Sequence, residues 1–108
     1  MIKFVATIQT GHEAEHIMPL LTQGLQNIAV ESFKEHAEES AVRWKVIPKG
    51  FAWTAGRPSN SSVLMCTVPK RISFETRADF MLQVNDYWVD QTGADSHELL
   101  IFTVDDAQ

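Results

Sequence analysis

Apolar positions along this chain switch between a period of two and a period near 3.6, and the switching occurs twice. Ile2, Phe4, Ala6 and Ile8 alternate with Lys3, Thr7 and Gln9, which predicts a strand over 2–9 ended by Thr10-Gly11. Ile17, Leu21, Leu25 and Ile28 then form a helical stripe flanked by Leu20, Ala29 and Phe33. Pro19 fits only a first turn, so the regular helix is predicted to begin near Met18, with His12 to Ile17 as an entry turn. Val42, Trp44 and Val46 alternate with Arg43, Lys45 and Ile47, a second strand broken by Pro48-Lys49-Gly50. Phe51 to Trp53 predicts a short extra strand, and 54–62 predicts a junction loop.

The second half repeats the order. Val63 to Val68 reads as a strand. Ser73 is a predicted N-cap with Glu75 in the first turn, and Phe74, Ala78, Met81, Leu82, Trp88 and Val89 make the helical stripe. Gly93 is a predicted C-cap. Asp95 and Ser96 give His97 a turn role, and Leu99 to Val104, apolar on both faces, predicts a buried strand.

Two βαβ units could form a ferredoxin-like sheet or two parallel pairs joined side by side, and the expected fold is α+β: a four-stranded mixed sheet with two helices on one face. The chain of 108 residues is expected to be one domain with pseudo-repeats of about 1–56 and 57–108. Such a sheet leaves its other face bare, and here that face carries Val, Trp and Phe side chains. Its exposure would create a large apolar patch, so other subunits are expected to cover it.

Charge and cysteine narrow the function. The formal net charge is −5 and the 9 basic residues are scattered, which gives no footprint for nucleic acid. The single Cys66 sits mid-strand among apolar residues, fits a reducing compartment, and reads as a buried, inert thiol. No apolar run reaches the roughly 20 residues of a membrane span, and no signal-peptide pattern opens the chain. A cytoplasmic protein without membrane association is expected.

His12-Glu13-Ala14-Glu15-His16 matches H-E-x-x-H, the spacing that puts two zinc-binding histidines on one helical face. A zinc-dependent hydrolase is thus a minor alternative. Pro19 puts a helix boundary close behind the motif, and the surrounding residues are polar. A third ligand would have to come from Glu31 or His36. The plainer reading is a solvated helix entry with acids at its N-terminus.

The stretch Ala41-Val42-Arg43-Trp44, followed by Pro48-Lys49-Gly50-Phe51-Ala52-Trp53-Thr54-Ala55-Gly56, carries a family resemblance. With the doubled βαβ pattern, Gly11 after the first strand and the Gly93 to Phe102 ending, it resembles the tautomerase superfamily. That group includes 4-oxalocrotonate tautomerase (4-OT), cis-chloroacrylic acid dehalogenase and macrophage migration inhibitory factor (MIF). The resemblance implies a MIF-like fold, a homotrimer packed through its sheets, and cofactor-independent keto–enol isomerisation of a small carboxylate-bearing substrate.

In that family an N-terminal proline of lowered pKa moves the proton, and arginines hold the substrate carboxylate. Matched residue by residue, the proline position falls on Ile2, behind a Met1 that a bulky second residue should retain. The first arginine position falls on His12, the second is kept as Arg43, and the apolar wall falls on Phe51 or Trp53. The resemblance thus implies Met1 and His12 as the proton-handling groups. Arg43, Phe51, Trp53 and the loop residue Arg57 are implied for substrate binding. No cofactor and no metal are expected. The missing proline keeps open a non-catalytic member of the same fold, serving as a ligand-binding or assembly protein.

Overall fold

The computed structural model describes residues 2–34, 40–49, 61–106 and the backbone of 53–54 and 57–58. Strand β1 (Ile2–Gln9) leads through a short helix α1 (Glu13–His16) into α2 (Met18–Ser32) and then β2 (Ser40–Ile47). A minimal hairpin, β3 (Trp53–Thr54) with β4 (Arg57–Pro58), precedes β5 (Ser62–Val68), α3 (Phe74–Thr92), a 3-10 turn (Ser96–Glu98) and β6 (Leu99–Asp105).

The main sheet has the order β2-β1-β5-β6. Each half supplies a parallel pair, β1 with β2 and β5 with β6, and the halves join through the antiparallel β1–β5 ladder. This is the mixed four-stranded sheet that the hydrophobic pattern predicts.

The helices cover one face. Ile2, Phe4, Ala6 and Ile8 of β1 and Leu64, Cys66 and Val68 of β5 pack with Leu21 and Leu25 of α2 and Phe80, Val84 and Trp88 of α3. Burying each such large apolar side chain stabilises the fold by about 1.5–3 kcal/mol. Trp44 of β2 joins this core, stacking on Trp88 with ring centroids 6.0 Å apart and donating from Nε1 to Thr22 Oγ1 at 2.9 Å.

The helix ends follow their sequence. Pro19 occupies the first turn of α2, where its missing N–H breaks no bond, and the break from α1 falls at Ile17. Ser73 caps α3 by accepting from the Thr76 N–H at 3.0 Å, and Gly93 ends it at φ 72°. The two strand-to-helix turns are alike: Gly11 has φ 88° and Arg71 has φ 63°. Nothing in the arginine's side-chain type announces that left-handed position.

Two expectations need correction. The buried stripe of α3 is Phe80, Val84, Trp88 and Thr92, while Phe74 at 83% and Leu82 at 58% are exposed. Apolar type alone misplaced the phase, because Thr92 and Phe80 complete the inward row. The last strand is not buried on both faces: only Leu99 is buried, and Leu100, Phe102 and Val104 face outward. β6 is an edge strand of a sheet with helices on one side, so its alternate positions have nothing packed over them.

Candidate functional site

The open face of the sheet divides into two halves. Val63 and Met65 of β5 and Leu100, Phe102 and Val104 of β6 make an apolar half, with Met65 45% and Phe102 50% exposed. Lys3 of β1 and Arg43 and Lys45 of β2 make a cationic half, set by the registers Lys3↔Ala41, Val5↔Arg43 and Thr7↔Lys45. No acidic residue shares these positions, although the whole chain carries a net charge of −5. Among the described residues Arg43 has no ion-pair partner.

A second assembly lies at the carboxyl ends of β1 and β2. Thr10 donates its N–H to the Ile47 carbonyl at 2.8 Å, which places the turn after β1 beside the residues after β2. Gly11 then turns left-handed and His12 stands just outside α1 in an extended conformation, φ −67° and ψ 146°. The His12 Nδ1 accepts from the Ala14 N–H at 2.9 Å, and Glu15 Oε1 accepts from the Gly11 N–H at 3.0 Å. The two bonds clasp the first turn of α1, with histidine in the N-cap place usually taken by serine, threonine, aspartate or asparagine.

A cleft of about 360 Å³ opens beside this clasp. His12 and Glu13 line one side, Lys49 another, and Thr92, Gly93, Asp95 and Glu98 at the end of α3 the third. The buried polar side chains Gln9, Ser62 and Thr92 all lie at this end of the molecule, so it is also the polar end of the core. Thr92 Oγ1 donates to the Trp88 carbonyl at 2.8 Å and accepts from the Ala94 N–H at 3.1 Å, which fixes the cleft wall. The His12 ring lies 6.3 Å from the Trp88 ring, centroid to centroid. Burial holds the His12 imidazole below its ordinary pKa, against the opposing pull of Glu98 and Glu13.

The H-E-x-x-H spacing does not become a helical pair. His12 lies outside α1, its Nδ1 is engaged by the backbone, and Ile17 interrupts the helix behind His16. Among the described residues no group of three His, Cys, Asp or Glu side chains is placed to hold a metal. The same residues contain no helix long and apolar enough to cross a membrane.

Of the sequence-predicted site residues, the two with described side chains, His12 and Arg43, do not meet within one chain. His12 follows the carboxyl end of β1, whereas Ile2 begins it. Eight residues of strand separate these ends by about 23 Å. Arg43 lies on the open face, while His12 lies on the helix side of the sheet near Trp88. Met1 and Phe51 fall outside the described residues, as do the side chains of Trp53 and Arg57, whose backbones form the β3–β4 hairpin. The sequence reading gave no site role to Lys49, Thr92, Asp95 or Glu98, which line the cleft. A parallel β1–β2 pair in register at Gln9↔Ile47 is the signal that brings Lys49 beside His12.

No family model matches the sequence, and no curated protein matches it. Solved structures do. The crystal structure of native Ps01740 superposes with a TM-score of 0.87 at 20% identity, over 96% of this chain and 93% of that one. A wild-type fused 4-OT symmetric trimer gives 0.85 at 15%, over 96% and 85%. N1, a member of the cis-3-chloroacrylic acid dehalogenase family, gives 0.87 at 9%, over 96% and 74%. The chain has the tautomerase-superfamily fold. At these identities the likeness establishes architecture, and the chemistry has to be argued from the residues.

Proposed function

We propose that this protein is a tautomerase-like isomerase that interconverts keto and enol forms of a small carboxylate-bearing molecule without a cofactor. Arg43 holds the carboxylate, Phe51 and Trp53 wall the substrate, Arg57 adds to its binding, and Met1 or His12 handles the proton. The observation that carries the reading is Arg43 itself. It is unpaired among the described residues, on the acid-free cationic half of an open sheet face in the tautomerase fold. A guanidinium so placed binds a carboxylate bidentately and draws charge from a developing enolate.

The working unit is a homotrimer packed through the open faces. The apolar half of that face supports this, since isolated soluble chains rarely leave so much contiguous apolar surface in water. Several solved structures of this fold are themselves described as trimers. The separation of Ile2 from His12 along β1 points the same way. A site using both ends of β1 needs the second end from a neighbouring copy.

A second reading is a non-catalytic ligand-binding or assembly protein of the same fold. Ile2 favours it, because its side chain is fully buried in the core at the position where the resemblance calls for a proline. Phenylpyruvate keto–enol turnover, measured in buffer containing a chelator, separates the two readings. The isomerase reading expects turnover that Arg43→Ala abolishes while the trimer persists in sedimentation velocity. Absence of turnover supports the second reading, and loss of the trimer would make Arg43 structural.

A further inference from the structure

The hydrogen bond at Ala14 decides what His12 can do. A backbone N–H only donates, so the Nδ1 that receives it at 2.9 Å must present a lone pair. The ring proton of the neutral imidazole then sits on Nε2. Nδ1 is committed to α1, and Nε2 is the ring nitrogen left for any other partner. We propose that His12 serves the cleft as a neutral hydrogen-bond donor through Nε2–H, polarising the carbonyl oxygen of a bound keto acid, and that the Ala14 N–H is the group that positions it. This deepens the isomerase reading and rests on it for the identity of the ligand.

Three features fit a neutral donor. The clasp has a second bond, since Glu15 ties back to the Gly11 N–H at 3.0 Å, so the backbone just before the ring's attachment is fixed. The ring is half-buried near Trp88, which disfavours the imidazolium. Protonation of Nδ1 would turn the acceptor into a donor facing another donor and break the cap. A general base at this position would need its lone pair on Nε2, and the Nδ1–H tautomer that supplies it would have to surrender the bond to Ala14. A donor pays no such cost, and a neutral imidazole is an effective electrophile toward a developing enolate oxygen.

The charged groups around the ring come from each neighbouring element: Glu13 from α1, Asp95 and Glu98 before β6, and Lys49 after β2. The carboxylates repel a fully charged oxyanion but tolerate a carbonyl oxygen, and Lys49 is the cation placed to offset charge as it develops.

Long-range nitrogen-15 correlation spectra of the histidine-labelled protein test this directly. His12→Asn, which keeps an N-capping side chain, assigns the His12 signals by their disappearance. At pH 7.5 the expected pattern is an unprotonated Nδ1 and a protonated Nε2, and titration with phenylpyruvate should move the Nε2 resonance while leaving Nδ1 largely in place. A protonated Nδ1, an even mixture of tautomers, or an Nε2 that phenylpyruvate does not move would overturn the proposal. Turnover is read separately in the same samples. A protein with the expected tautomer and ligand shift but no turnover retains the His12 assignment and loses the isomerase reading.

Discussion

The ring of Tyr87 in α3 occupies the space that any side chain on Gly24 of α2 would need. A Cβ built at Gly24 would lie 2.0 Å from Tyr87 Cζ, and the Tyr87 hydroxyl donates to the Leu20 carbonyl at 2.8 Å one turn earlier. Glycine is here because one helix must pass close to the other's aromatic side chain, not because its backbone needs unusual angles.

Gly24→Ala is therefore expected to expel Tyr87 and lower stability, although alanine favours helix by about 1 kcal/mol. Overpacking of this kind costs about 1–3 kcal/mol, so the net loss should be modest but measurable by urea unfolding. In a Tyr87→Ala background the same change should become neutral or stabilising. A double-mutant cycle with additive effects would show that the two residues do not compete for this space.

Cys66 should resist thiol reagents in the folded protein. Burial pushes its thiol up to about 12, so almost no thiolate exists at neutral pH. An Ellman assay without denaturant is expected to register essentially no reaction over minutes, and one thiol per chain after unfolding in guanidinium. Rapid reaction of the native protein would show that β5 opens readily.

The βαβ doubling, the strand ends and both caps of α3 were legible in the sequence because each rests on local rules. Alternation marks β1 and β2, and Ser73 and Gly93 are strong punctuation. The phase of α3 was not legible, since Phe74 and Leu82 are as apolar as the residues that are buried and only the tertiary contact separates them. β6 misled for the related reason that an apolar run has the same signature whether helices cover the strand on one face or on both. Arg43 could be singled out by resemblance, but its placement on an acid-free face needed the register of β1 against β2. The His12 clasp lay hidden behind a motif of the same letters, because H-E-x-x-H says nothing of whether the first histidine is inside the helix or caps it.

The apolar half of the open face should govern assembly. Phe102→Glu places a carboxylate where the proposed subunit contact is dry, against the neighbouring Met65 of β5. Sedimentation velocity is expected to show the trimer replaced by smaller species, with the circular dichroism of the chain retained. A trimer unaffected by the change would move the subunit contact elsewhere. Lys45→Ala, on the cationic half, should leave assembly intact and weaken carboxylate binding instead.

Acid should loosen the clasp on α1 before it unfolds the protein. The folded-state pKa of His12 lies below its ordinary value of 6.5, chiefly through burial, so the neutral ring is favoured in the native state. The sign follows from proton uptake. Below the ordinary value the unfolded chain binds a proton that the native state refuses, and stability falls as pH drops. The contribution is fully present above about 6.5 and is lost progressively as pH falls through the folded value. Hydrogen exchange at the Ala14 amide should accelerate over that window relative to amides in α3, once the intrinsic pH dependence is removed. His12→Asn keeps a capping oxygen that does not titrate, so it should flatten this part of the profile while leaving the carboxylate-driven loss at lower pH. An unchanged profile in His12→Asn would place the acid sensitivity in another group.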